Sequence, residues 1–68
     1  MRTIRGRLLL FLRILAKREQ AKEFDIPFDR QALADFLCVD RSALSAELSK
    51  LRRERKVESV KNHFKLLG

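Results

Sequence analysis

The chain has 68 residues, 46% hydrophobic and 37% charged, with a net charge of +7 and a sequence pI near 10.6. That is one domain at most, close to the lower size limit for folding on a single core without staples. One cysteine excludes a disulfide framework and fits a reducing compartment. The longest apolar run, residues 8 to 12, is too short to cross a bilayer. Arg13, Lys17 and Arg18 interrupt the N-terminal apolar segment and no small-residue cleavage site follows, which argues against a signal peptide. A cytoplasmic protein with no membrane partner is the simplest expectation.

The first element is "TIRGRLLLFLRILAKRE", a helix expected over residues 3 to 18 with Thr3 as its N-cap. Ile4, Leu8, Phe11, Leu12 and Leu15 recur at helical spacing and make one apolar stripe. Leu9, Leu10 and Ile14 widen that stripe beyond what a small core needs, so some apolar surface is expected to meet something outside these residues. "FDIPF" follows, where Pro27 lacks an amide donor and biases Ile26 away from helix; a short edge strand is expected there.

Asp29 is a natural N-cap for a helix from Arg30 to Leu37, with Leu33, Phe36 and Leu37 read as inward-facing. Cys38, Val39 and Asp40 break it. Cys38, between Leu37 and Val39, is read as a small buried packing residue rather than a redox or metal thiol. Asp40 caps the next helix, Arg41 to about Arg53, whose core positions are Leu44, Leu48 and Leu51. "KVESVKNHFKLL" then reads as a hairpin, with strands at residues 57 to 60 and 63 to 66 and Lys61-Asn62 as its turn. Asn62 is the residue suited to a left-handed turn backbone.

The expected fold is therefore mainly α with a small β-hairpin, an α+β winged helix-turn-helix of three helices plus a wing. One domain would span residues 1 to 68, with the helix-turn-helix over 29 to 53 and the wing over 57 to 67. With the leucines of the second helix-turn-helix helix turned inward, Ser42, Ser45, Ala46, Ser49 and Arg53 point outward together. Arg41 and Arg52 flank them. Small side chains suit a helix that must approach base edges in a groove about 12 Å wide. The alternative is an ordinary amphipathic helix with a soluble outer face, although solvated faces favour Glu, Lys and Gln over three mid-helix serines.

Charge is segregated along the chain. Residues 1 to 22 hold seven bases and one acid, residues 23 to 49 two bases and six acids, and residues 50 to 68 seven bases and two acids. A pI above 9 is an electrostatic footprint of nucleic-acid binding, though a run of bases is also an ordinary solvated face. Ser42 and Ser45, with Arg41 as a bidentate donor to guanine, are the candidate base readers. Arg30, Ser49, Lys50, Arg52, Arg53, Lys61, His63 and Lys65 are candidate contacts to the DNA backbone. His63 has no second His, Cys or paired carboxylate spaced to join it in metal or acid–base chemistry, and either approaches a phosphate or faces water. The acidic residues follow no metal-loop spacing, and no glycine-rich phosphate loop is present. No cofactor and no enzymatic activity are expected.

The run "RQALADFLCVDRSALSAELSKLRRE" resembles the DNA-binding domain of the Crp/Fnr superfamily of bacterial transcription regulators. The likeness extends to "IRGRLLLFLRILA" upstream and to the "KNHFKLL" wing, so it covers nearly the whole chain. The resemblance implies a winged helix that binds a promoter half-site on double-stranded DNA. In the full-length context it implies a homodimer, a palindromic site and RNA polymerase as a further candidate partner. It also implies an N-terminal sensor β-barrel and a dimerisation helix, neither of which lies in these residues. Family members often carry arginine where Ala46 sits, and glycine at the positions of Cys38 and Arg55, where the backbone turns left-handed. A protein-interaction or dimerisation module without specific DNA binding is the competing reading.

Overall fold

In the computed structural model, which describes residues 3–67, each helix begins where a short polar side chain can cap it. Thr3 accepts a hydrogen bond from the Gly6 amide at 2.9 Å and opens α1, Ile4–Glu19. Asp29 accepts from the Ala32 amide at 2.8 Å and opens α2, Arg30–Leu37. Asp40 accepts from the Ala43 amide at 3.0 Å and opens α3, Arg41–Arg53. Each cap satisfies an amide that has no intrahelical partner. Between α1 and α2 lies β1, Glu23–Asp25, and after α3 come β2, Val57–Val60, and β3, His63–Leu66. Arg2, counted above among the N-terminal bases, and Gly68 lie outside the described residues.

The helices end as consistently as they begin. Val39 N–H bonds to the Ala34 carbonyl at 3.0 Å while Cys38 N–H bonds to that of Asp35 at 3.1 Å. Ala21 and Gln20 bond back in the same way to Ala16 and Lys17, and Lys56 and Arg55 to Leu51 and Arg52. These are Schellman closures, which put one residue at each end in the left-handed region. That residue is Gln20 at φ 55°, Cys38 at φ 59° and Arg55 at φ 59°. The two sites where the resemblance implies glycine thus carry the left-handed backbone without it. Lys61 is also left-handed, at φ 53°. The hairpin turn therefore places its unusual backbone on Lys61, not on Asn62.

The sheet is antiparallel with order β1-β3-β2, so the wing hairpin gains a third strand from before the helix-turn-helix. Phe24 pairs with Phe64, and Phe64 in turn with Ser59. The edge strand lies slightly N-terminal of its expected position. Strand pairing stops at Asp25, and Ile26 adds one bond, its amide donating to the Asn62 carbonyl at 2.9 Å. Pro27 falls just beyond, where no donor is needed. Helices and sheet close over a core whose fully buried members include Leu8, Leu12, Leu33, Leu44, Leu51 and Phe64. Among the described residues no buried side-chain polar atom lacks a partner. Among the described residues no helix is long and apolar enough to cross a membrane.

Two burial expectations are corrected. Phe36 is 57% exposed, and the small Ala34 takes the inward place beside Leu33 and Leu37. On a helix of eight residues the buried stripe follows positions 33, 34 and 37, which leaves residue 36 on the flank. There Phe36 joins a surface aromatic cluster, its ring centroid 5.2 Å from Phe11 and 5.3 Å from Phe28. Cys38 is exposed. Its left-handed backbone turns the side chain out of the core that Leu37 and Val39 pack against. The surplus of α1 is real and divided: Leu9 packs against the core, while Leu10 and Ile14 are exposed.

Candidate nucleic-acid interface

With Leu44, Leu48 and Leu51 buried beneath it, α3 presents Arg41, Ser42, Ser45, Ala46, Ser49, Lys50, Arg52 and Arg53 to solvent. The burial period of the leucines fixes this face, since residues at i, i+4 and i+7 define the opposite side. Arg41 is the first helical residue. Lys50, Arg52 and Arg53 fill the last turn, where cations also complement the helix dipole. A groove runs between the C-terminal half of α3 and β2, lined by Ser49, Arg52, Arg53, Glu58, Ser59 and Val60. Lys61 stands exposed at the tip of the hairpin. The structure therefore gathers α3, the wing strand and the wing tip around one open face.

Arg30 reaches that neighbourhood from the first turn of α2. Its guanidinium lies 5.0 Å from the centroid of the buried Phe64 ring, a cation–π placement. Burial lowers its pKa, and the nearby positive charge of Arg52 lowers it further. Two guanidiniums therefore converge from different helices, and Arg30 has no ion pair with an acid among the described residues. Lys65 is differently placed. It sits on the central strand with Glu23 opposite on one side and Glu58 on the other, so acids flank its charge.

His63 is half-exposed and paired with two carboxylates. Its Nδ1 lies 2.8 Å from Asp25 Oδ1 and its Nε2 3.0 Å from Glu23 Oε1. Both ring nitrogens are occupied by carboxylates from β1. The hydrogen bond to Asp25, then that to Glu23, raises the imidazole pKa, and protonation lets both nitrogens donate at once. In this arrangement a protonated His63 offsets one of the two negative charges beside it, and its ring nitrogens are engaged by carboxylates.

Two bases counted in the N-terminal positive segment are internal to the fold. Arg7 donates through one nitrogen to the carbonyls of Leu37 at 2.9 Å and Cys38 at 3.3 Å, closing the last turn of α2. Arg5 donates from Nε to Glu47 at 2.7 Å and makes a two-pronged pair with Glu54 at 2.9 and 2.8 Å. The hydrogen bonds from Arg5 hold the Glu54 carboxyl below the usual carboxylate range. Sequence reasoning placed neither arginine, because their partners lie 30 or more residues away. It also passed over Ser59 and Val60, although alternation in "VESV" carries the signal: Val57 and Ser59 turn in, Glu58 and Val60 out.

The profile of the family described as Crp-like helix-turn-helix domain matches residues 6–67. No curated protein and no solved structure matches the chain.

Proposed function

Since the chain belongs to the family of Crp-like helix-turn-helix domains, and is thereby a DNA-binding effector domain of a transcription regulator, we propose that it reads a specific duplex sequence by seating α3 in the major groove. The observation that carries this reading is the exposed face of Ser42, Ser45, Ala46 and Ser49, with Arg41 at its entrance and arginines at its exit. Side chains this small bring the helix backbone within reach of base edges. Arg41 offers a bidentate fork to guanine O6 and N7, and Ser42 and Ser45 donate or accept at neighbouring bases. Arg30, Ser49, Lys50, Arg52, Arg53, Lys61 and Lys65 serve the phosphates, which position the domain without specifying sequence. His63 acts indirectly: when protonated it offsets one of the two negative charges of Asp25 and Glu23 that would otherwise repel the backbone. In a homodimer two such domains address the halves of a palindrome on one face of the duplex.

Selection from random duplexes by a covalently dimerised form tests the reading: an enriched palindromic motif is expected. The absence of any motif would leave a protein-interaction module as the better account. Neutralising roughly four to six phosphates per domain gives a log–log salt slope of about −4 to −5. Arg41→Ala is expected to flatten discrimination at one base pair by about 1–3 kcal/mol, whereas Lys61→Ala weakens all sequences alike.

A further inference from the structure

We propose that Arg5 is a positioning residue for DNA recognition: acting from α1, it sets the orientation of α3 without itself touching DNA. The inference rests on the recognition role of α3 stated above. Glu47 and Glu54 lie seven residues apart, two turns along one side of α3 and its C-terminal cap. One guanidinium grips both, with Nε on Glu47 and the terminal nitrogens on Glu54. A single contact would leave α3 free to swivel about it. The two glutamates are rooted about 10 Å apart along the helix axis, and their carboxylates converge on one guanidinium, so the grip ties two turns of α3 to a single group on α1. The planar fork of arginine is suited to this, because it holds carboxylates at set angles where a lysine holds only a distance. Glu47 keeps 18% of its side chain exposed, so its half of the grip is shielded from water.

The same cluster is electrically unsuited to a phosphate. Arg5 brings one positive charge and the glutamates two negative ones, and the Lys56 ammonium at 3.7 Å from Glu54 makes the group neutral. Every nitrogen of the Arg5 guanidinium already donates to a carboxylate. Arg7, two residues on, holds the carbonyls at the end of α2. The first two turns of α1 therefore hold the turn and the recognition helix together, and Arg5 is the part that reaches α3.

The test compares Arg5→Ala and Arg5→Lys with the wild-type chain. Affinities for the selected duplex and for a random duplex are measured across a salt series. In parallel, the α1–α3 distance is read by pulsed electron resonance between spin labels at Arg13→Cys and Lys50→Cys, with Cys38 replaced by Ala and no DNA present. Expected for Arg5→Ala is a loss of about 5- to 10-fold for the selected duplex, the scale on which residues remote from a ligand modulate binding. The random duplex and the salt slope stay unchanged, and the distance distribution broadens. Arg5→Lys should resemble Arg5→Ala, because the charge survives but the fork does not. Equal losses on both duplexes with a shallower slope would make Arg5 a phosphate contact and overturn the proposal. So would an unaltered distance distribution, or full recovery with lysine. If the wild type prefers no duplex at all, the recognition reading fails, and the label distances still decide whether Arg5 orients α3.

Discussion

Cys38→Gly should stabilise this domain. Cys38 holds φ at 59°, where a Cβ crowds the following carbonyl at a cost of about 1–2 kcal/mol. Glycine removes that cost but adds about 0.5–1 kcal/mol of backbone entropy to the unfolded chain. The thiol is exposed, and the Schellman bonds at this turn use only backbone atoms, so nothing else is lost. The net gain is about 0.5–1 kcal/mol, which in a domain of this size raises Tm by about 2–8 °C. Thermal and urea unfolding of Cys38→Gly and Cys38→Ala side by side provide the assay. Alanine keeps the Cβ and removes the sulfur, so it should bring no increase. A Cys38→Gly protein that melts at or below the wild type, or an equal rise with alanine, would refute the assignment of strain to this turn. Arg55→Gly, at the matching position after α3, should behave alike.

Removing the Arg7 guanidinium uncovers the Leu37 and Cys38 carbonyls; with partial exposure discounting a charge-assisted bond, Arg7→Ala should cost about 1 kcal/mol in urea unfolding. His63 titrates above its ordinary 6.5 because Asp25 and then Glu23 accept from it. Its stabilising contribution is therefore complete below pH 6.5 and is lost as pH rises through the raised folded-state value. NMR titration of the ring should show that upward shift, and it should fall toward the ordinary value in Asp25→Asn. Phe64→Ala empties the centre of the core, at a cost of about 3–5 kcal/mol. Circular dichroism should find that variant largely unfolded at 37 °C, given how little stability a chain this short carries.

The helices were legible because their signals are local. Thr3, Asp29 and Asp40 cap where they stand, and the leucine spacing of α3 placed its buried and exposed faces correctly. The left-handed turns at Cys38 and Arg55 were legible only through the glycines that the resemblance implies there; Gln20, with no such hint, was not. Phe36 misled because a hydrophobic residue at helical spacing reads as core, while a short helix buries a stripe too narrow to include it. Arg5, Arg7 and His63 were read as surface charge. Sequence shows that a side chain is cationic but not which carboxylate or carbonyl the fold will bring to it, and here the partners are 30 to 49 residues distant. On the interface, the small-residue face of α3 was visible in advance, whereas Arg30 over Phe64 depends on how α2 docks on the sheet.

The strand order has a consequence for how the molecule comes together. β3 is both the last element and the middle strand, pairing with β2 close by and with β1 across 38 or more residues. It also delivers Phe64, the largest fully buried side chain. The three helices can form early from local contacts, but the core lacks Phe64 until β3 arrives. Closing the long loop between β1 and β3 is then the entropically slow event, and assembly behaves as a single late step rather than a stepwise accretion. A nascent chain carrying all of α3 but not yet β3 would hold the reading helix without the wing beside it. Competence to engage DNA would thus be acquired at the last strand, and all at once.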